Sequence, residues 1–337
     1  MNLEEIAQLA GVSRATVSRV INKHPYVSEA VRQRVLEIIE REGFHPNAAA
    51  RMLARQRTEV IGVIAPEGLE PIFLGGYFPV LLGGISSAIS HSDYVMSLWA
   101  GSTAEEAQRM YKRILGYKLM DGAVLISSIQ DDTLPRSLYE RRMPLVMIGP
   151  TIMSEVSTVD IDNLAAARVA TDHLIRLGRR RIAHITGRHD IIAVRQRFDG
   201  YRTALEASQI PFDPALVDQG DFTENSGYFA ARKFIPLGID AIFASNDLMA
   251  IGAMRGLAEQ GLNVPDDVAV VGFDDMHTAS TLHPALTTMR QPIRELGSIA
   301  THMLIDIIQG KVTPPHRIVL PTELVIRETC GAIPRSG

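Results

Sequence analysis

Ile6-Ala-Gln-Leu-Ala-Gly-Val-Ser-Arg-Ala-Thr-Val-Ser-Arg-Val-Ile-Asn22 reads as a helix, a tight turn and a second helix. Ile6, Ala7 and Ala10 place small and apolar side chains on one face of the first helix. Gly11 closes it, where a left-handed backbone is easiest for glycine. Ser13 stands where its oxygen can N-cap the second helix. Val17, Val20 and Ile21 form the buried stripe of that helix. Its other face carries Arg14, Ala15, Thr16, Ser18 and Arg19, which are small, polar or cationic. A helix that enters a major groove and touches base edges and phosphates needs such a face. The plainer reading is a helical hairpin with a solvated outer face.

Working outward, Asn22-Lys23-His24-Pro25 makes a loop, because proline disfavours helix in the residue before it. Ser28 opens a third helix as its N-cap, with Val31, Val35, Ile38 and Ile39 facing inward. Glu42-Gly43 ends it, and Phe44 packs back on the small core. Residues 46–57 follow, PNAAARMLARQR. Pro46 suits a first helical turn and three alanines favour helix, but the segment is too short to be helical alone in water. It reads either as a plain linker or as a helix that forms only when DNA or a symmetry mate binds it.

From Val60 the texture changes. Apolar runs stand at 60–66, 94–99, 121–127, 144–149, 181–187, 241–246 and 268–275. Amphipathic stretches lie at 79–91, 103–118, 163–177, 197–208, 224–236, 247–260 and 292–309. Strand and helix alternating at this spacing build parallel sheets with helices on both faces. So many units are too many for one compact sheet, so two lobes are expected, with a crossing at the polar break 154–162. Ligands in such sheets sit beyond the carboxyl ends of the strands. Here those ends read Ala65-Pro66, Ser245-Asn246-Asp247 and Phe273-Asp274-Asp275.

Composition bounds the function. Of 337 residues 46% are hydrophobic and 21% charged, which excludes a disordered chain. No apolar run reaches the length of a membrane span. The opening MNLEEIAQ lacks the basic start and apolar core of a signal peptide, so a cytoplasmic location is expected. One cysteine, Cys330, rules out an internal disulfide and a cysteine metal cluster. The net charge of −4 is unevenly spread. Residues 1–57 hold nine Lys/Arg against six Asp/Glu, a net of +3, and the remainder holds 25 against 32, a net of −7. A basic head before an acidic body assigns DNA to the head.

Together these pieces resemble the lactose-repressor (LacI/GalR) family of bacterial regulators. The resemblance runs from about residue 3 to about 328. It rests on IAQLAGVSRATVSRVIN, FHPNAAARMLA, VxxDxDN at 156–163, HLIRLGRRRIAHITG, RFDGY, ASNDLMAIGAM, VPDDVAVVGFDD and PALTTMRQP. It implies an α/β chain with an N-terminal three-helix, helix-turn-helix DNA-binding head (1–45) and a hinge helix (46–57). The remainder, 58–330, becomes a two-lobed core like a periplasmic binding protein, of parallel sheets flanked by helices. One lobe is roughly 58–157 with part of 277–320, the other 160–287 with the C-terminal end. The chain stops at Gly337 without a tail of leucine heptads, so the expected partner is a second copy, as a homodimer on palindromic operator DNA.

Site residues follow from the resemblance. Arg14 and Ala15 match the specificity pair after Ser13. Arg19 and Asn22 match further base and phosphate contacts, and Thr16 and Ser18 suit the phosphate backbone. Asn47, Ala50 and Leu53 fall where relatives approach the minor groove, with Leu53 as an apolar wedge. In the core, Arg197 resembles an effector-clamping arginine, with Asn246 and Asp274 as hydroxyl partners. Phe222 matches an aromatic that stacks on the ligand. Tyr77 and Phe78 resemble a lid, or else belong to the core. Asp160 is an inter-lobe or ligand contact, and Gln291 follows a crossing strand close by. Asp247 reads as an N-cap, and Asp275 as a turn residue. Arg179 replaces a common histidine, a surface variation.

No cofactor, metal or catalytic residue is expected. The chain has no GxGxxG after the first strand, no P-loop, no HExxH and no GxSxG. His184 and His189 lack the neighbours of a metal site. The expected function is an effector-controlled transcriptional repressor whose effector is a small polar molecule, a sugar or sugar derivative. The alternatives are a cytoplasmic small-molecule-binding protein of the same fold and a regulator that needs a purine or nucleoside co-repressor.

Overall fold

The computed structural model describes residues 1–21, 24–44, 57–65, 76–101, 103–126 and 129–332. The expected contacts of Asn22, Asn47, Ala50 and Leu53, and the hinge segment, lie outside these residues. The chain divides into two compact units, Met1–Glu59 and Val60–Gly337.

The first unit holds three helices, α1 (Leu3–Ala10), α2 (Arg14–Ile21) and α3 (Glu29–Arg41). Asn2 and Glu5 form a reciprocal capping box at the start of α1, satisfying backbone N–H groups that the helix leaves open. Gly11 ends α1 at φ 62, in the left-handed region. Ser13 Oγ accepts the Thr16 amide at 3.2 Å, as the sequence implies for a cap. Ser28 precedes α3 but makes no side-chain cap bond, so that helix is held by packing. Ile6, Val17, Val20, Val35 and Ile38 fill the core, and Phe44 closes it.

The second unit contains two six-stranded sheets. The first is built from β1 (Val60–Ala65), β2 (Val95–Ala100), β3 (Gly122–Ile126), β4 (Leu145–Ile148), β5 (Ser157–Ile161) and β11 (Arg317–Leu320), in the order β11-β5-β4-β3-β1-β2. The second takes β6 (Ile182–Thr186), β7 (Val217–Gln219), β8 (Ala241–Ala244), β9 (Ala269–Asp274), β10 (Thr287–Arg290) and β12 (Glu323–Val325), in the order β12-β10-β9-β8-β6-β7. All pairings are parallel except β10 with β12. The helices are α4 (Tyr77–Ile89), α5 (Ala104–Gly116), α6 (Leu134–Glu140), α7 (Asn163–Arg176), α8 (Ile192–Ala207), α9 (Glu224–Phe234), α10 (Asp247–Ala258), α11 (His277–Thr281) and α12 (Ile293–Ile308).

The chain crosses between lobes three times, after β5, after β10 and after β11. The stretch 154–162, expected as a polar crossing, is largely strand. Ser157 and Thr158 are buried in β5, and Ser157 Oγ accepts the His316 amide at 3.0 Å. The crossing itself is shorter, at Asp162, which caps α7 through Ala165. The lobes also meet by backbone pairing. Ile129 bridges Ile191, and the Gln130 amide donates to Asp190 O at 2.7 Å.

Candidate functional site

In the first unit α2 presents Arg14, Ala15 and Arg19 to solvent, while Thr16 and Ser18 are half-buried. This is the cationic, small-residue face read from the sequence. Ser13 Oγ lies 2.9 Å from Thr16 Oγ1, so both hydroxyls are engaged in the cap. The Arg14 guanidinium is also approached by Glu4 at 3.9 Å, an exposed and weak pair.

In the second unit the expected ligand residues gather at the carboxyl ends of the strands. Arg197, one turn into α8, is buried. Its Nε donates to Asn163 Oδ1 at 2.9 Å and its Nη1 to Ser245 O at 2.7 Å. Its guanidinium carbon lies over Phe273, 3.7 Å from the ring centroid, a cation–π contact. The fork is thus partly spent on orientation. Among the described residues Nη2 has no bonded acceptor. Burial lowers the guanidinium pKa, and the charges of Asp274, Tyr77 and Asp160 pull it back. Those three neighbours come from both lobes, so the arginine sits at the junction.

Asp160 ends β5, and its carboxylate accepts from Asn163 Nδ2 at 3.3 Å. Burial raises its pKa to about 6, opposed by a backbone bond and by Arg197. Asp274 ends β9 and accepts from Gln291 Nε2. Burial raises its pKa too, against Arg197 and Gln291. Neither carboxylate pairs directly with Arg197.

Two side chains differ from the sequence reading. Asn246, not Asp247, caps α10: its Oδ1 accepts the Met249 amide at 2.9 Å, and its Nδ2 donates to Phe222 O at 3.0 Å. Asn246 is therefore a brace for the Phe222 loop as well as a helix cap. Asp247 is buried behind it, bonded to Thr288 Oγ1 at 2.6 Å and to the Met276 amide at 2.7 Å. Burial and the charge of Asp274 raise its pKa well above the usual carboxylate range.

The aromatics divide as well. Phe222, half-buried and at φ 68, lays its ring over Gly187; a Cβ there would stand 2.3 Å from the ring. Tyr77 is half-buried and within electrostatic reach of Arg197. Phe78 is not a lid. It is 8% exposed, belongs to the first lobe's core, and supports Tyr77 edge-to-face at 5.5 Å.

Asp275 is more than a turn residue, since its carboxylate bridges Arg290 and Arg327. Sequence reading missed this bridge, and also Asn163 and Ser245, whose roles arise from α7 and β8 meeting α8. Arg179, Arg180 and Arg181 donate to carbonyls of Pro265, Ile175 and Leu237, which makes them structural ties. His184 is fully buried, stacked on Phe243 and Tyr201, and burial lowers its pKa to about 4. Among the described residues no group of His, Cys, Asp or Glu could hold a metal ion, and no helix is long and apolar enough to cross a membrane.

Comparison with known proteins agrees with both units. The family model of bacterial regulatory proteins, lacI family, matches residues 2–47, and that of the periplasmic binding protein-like domain matches 171–330. The HTH-type transcriptional regulator CelR of Thermobifida fusca is 40% identical, with 97% of each chain covered. The chain belongs to the LacI family. The ribose operon repressor of Halalkalibacterium halodurans, another LacI-family member, is 34% identical over 97% of this chain and 96% of its own. A solved complex of CelR with cellobiose superposes with a TM-score of 0.77 at 38% identity, covering 98% of this chain and 99% of that one. The lac repressor dimer bound to operator and the anti-inducer ONPF gives 0.86 at 28% identity, with the same coverage. As a LacI-family member the chain is a DNA-binding transcriptional regulator and not an enzyme.

Proposed function

We propose that this regulator is a homodimeric repressor whose operator affinity is set by a small, hydroxyl-rich effector, a sugar, held between the lobes. The observation that carries the reading is Arg197. A buried guanidinium, oriented by Asn163, Ser245 and Phe273, faces carboxylates from both lobes, Asp160 and Asp274. Arginine offers hydroxyl acceptors a rigid set of donors, and carboxylates accept from hydroxyls. Tyr77 and Phe222 add aromatic faces for the apolar side of a sugar ring, and Asn246 and Gln291 complete the polar set. The CelR–cellobiose complex and the ribose operon repressor support a sugar.

In the head, Arg14, Ala15 and Arg19 read bases and Ser13, Thr16 and Ser18 meet phosphates, with Asn22, Asn47, Ala50 and Leu53 as further contacts. Two heads of a dimer address two half-sites. Effector binding shifts the balance of lobe arrangements in proportion to its preference between them, and with it operator affinity.

The test has two arms. Selection of bound duplexes from a random pool, at defined salt, is expected to enrich a palindrome. Calorimetry of the full chain with cellobiose, ribose and adenosine is expected to show binding of a sugar, with cellobiose the first ligand to try. No enriched sequence with or without these ligands, or binding of adenosine alone, overturns the reading.

A further inference from the structure

Three consecutive residues at the end of β9 touch three different parts of the core. Asp274 accepts from Gln291 Nε2 and lies within electrostatic reach of Arg197. Asp275 turns the other way, and its side chain is only 8% exposed. One of its oxygens accepts from Arg327 Nη2 at 2.6 Å, the other from Arg290 Nε at 2.7 Å. Met276 donates its amide to Asp247 at 2.7 Å, and its sulfur lies against Gly76 of the first lobe, where a Cβ would stand 2.5 Å away. Asp274 and Asp275 have φ of 116 and 57. Two successive left-handed residues without glycine persist only where surrounding contacts over-determine them. Here those contacts are the two arginines, Gln291 and Asp247.

Arg290 and Gln291 begin the crossing that leads into α12. Arg290 also reaches Glu323 at 3.0 Å, just past the crossing after β11, and Arg327 Nη1 donates to Leu286 O at 2.7 Å. Asp275 is therefore tied to the crossing after β10 directly through Arg290, and to the crossing after β11 through the Arg290–Glu323 pair, one residue from Asp274. We propose that Asp275 is a positioning residue for effector control. It holds Asp274 toward the cleft and ties it to the crossings after β10 and β11, so that occupancy of Asp274 is felt where the lobes join. The proposal rests on the reading that the cleft takes the effector.

The charged groups that meet Asp275 are Arg290, Arg327 and, through Arg290, Glu323, and its charge also reaches the buried Asp247. Asp275→Asn keeps the shape and one acceptor but removes the charge. Arg290→Gln changes a half-exposed residue, removes one of the two arginine contacts while leaving Arg327 in place, and serves if the first variant folds poorly. Hydrogen–deuterium exchange of the full-length protein, without ligand, is read by mass spectrometry. Loss of a charge-assisted bond is expected to speed exchange about tenfold in segments 273–276, 287–293 and 321–327, leaving 224–234 and 247–258 unchanged. Unaltered exchange in the three segments overturns the proposal, and so does a rise spread evenly over the second lobe, which marks Asp275 as a general stabiliser. Calorimetry with cellobiose separates the two readings. If wild type binds it, Asp275→Asn is expected to bind about tenfold more weakly, and equal affinity overturns the positioning role. If wild type does not bind it, the choice of effector has failed and the exchange data alone decide the coupling.

Discussion

Asp160→Asn is expected to stabilise the protein at neutral pH. The Asp160 carboxyl is raised from 3.8 to about 6 by burial. The ionised form is therefore held in the fold at a cost. Because the folded pKa exceeds the unfolded one, the group favours folding fully below pH 3.8, and that contribution is lost as pH rises through about 6. At about 1.4 kcal/mol for each pH unit, removing the ionisable proton is worth about 3 kcal/mol at pH 7.5 and about 1 kcal/mol at pH 4.5. The asparagine keeps an acceptor for Asn163, and the lost attraction to Arg197 is already contained in the net shift. Urea unfolding of the full chain, followed at Trp99 on β2 in the same lobe as Asp160, measures the difference at both pH values. A variant no more stable than wild type at pH 7.5, or one whose gain does not shrink on acidification, refutes the buried-charge argument. The same variant is expected to respond more weakly to effector, since stability and site chemistry oppose each other at this residue.

Arg197→Ala removes the charge-assisted bonds to Asn163 and Ser245 O and the contact over Phe273, and is expected to destabilise the core by about 3 kcal/mol. Operator binding by folded protein should persist while the effector response is lost, as gel shifts with and without sugar will show. His184 is depressed from 6.5 to about 4 by burial, so its contribution is present above pH 6.5 and lost as pH falls through about 4. His184→Phe is expected to flatten the acid limb of the stability profile in thermal melts from pH 7 to 4. Gly252 meets Glu224 O of the facing helix, closer than any Cβ allows, and Gly252→Ala should cost about 1–3 kcal/mol in urea unfolding. Ile129→Cys with Ile191→Cys should oxidise to a disulfide, because bridge partners lie within about 4.5–5.5 Å at Cα and Cys330 is buried. Failure to cross-link in the ligand-free protein would show that the lobes are not latched there.

Local chemistry was legible wherever short-range sequence decides structure. The α1–turn–α2 unit followed from Gly11 and Ser13, one supplying a left-handed backbone and the other a cap oxygen. The central strands β1, β3, β4, β6, β8 and β9 were legible because they are buried and read as unbroken apolar runs, whereas β10, with the sequence TTMR, was not among them. The edge strands β7, β11 and β12 were not, since VDQ, RIVL and ELV are half-covered and carry polar residues. Strand β5 was hidden by Ser157, Thr158 and Asp160; Ser157 Oγ and the Thr158 amide find their partner only when the distant His316 arrives. The set of cleft residues was reachable by resemblance, but their division of labour was not.

Sequence alone determined a basic helix-turn-helix head, an α/β body, and the residue types available for polar recognition. These are properties of periodicity, caps and charge, which act within a few residues. Tertiary structure alone decided that Asn246 rather than Asp247 caps α10, that Phe78 backs Tyr77 from the core, and that Arg197 spends two donors on Asn163 and Ser245. It also placed Asp275 between Arg290 and Arg327. The Arg197 and Asp275 contacts depend on which groups, far apart in the chain, meet in the fold, where an unpaired donor or charge is expensive; the Asn246 cap and the Phe78 contact are local, but which of two neighbouring side chains takes each place was set by the packing around them.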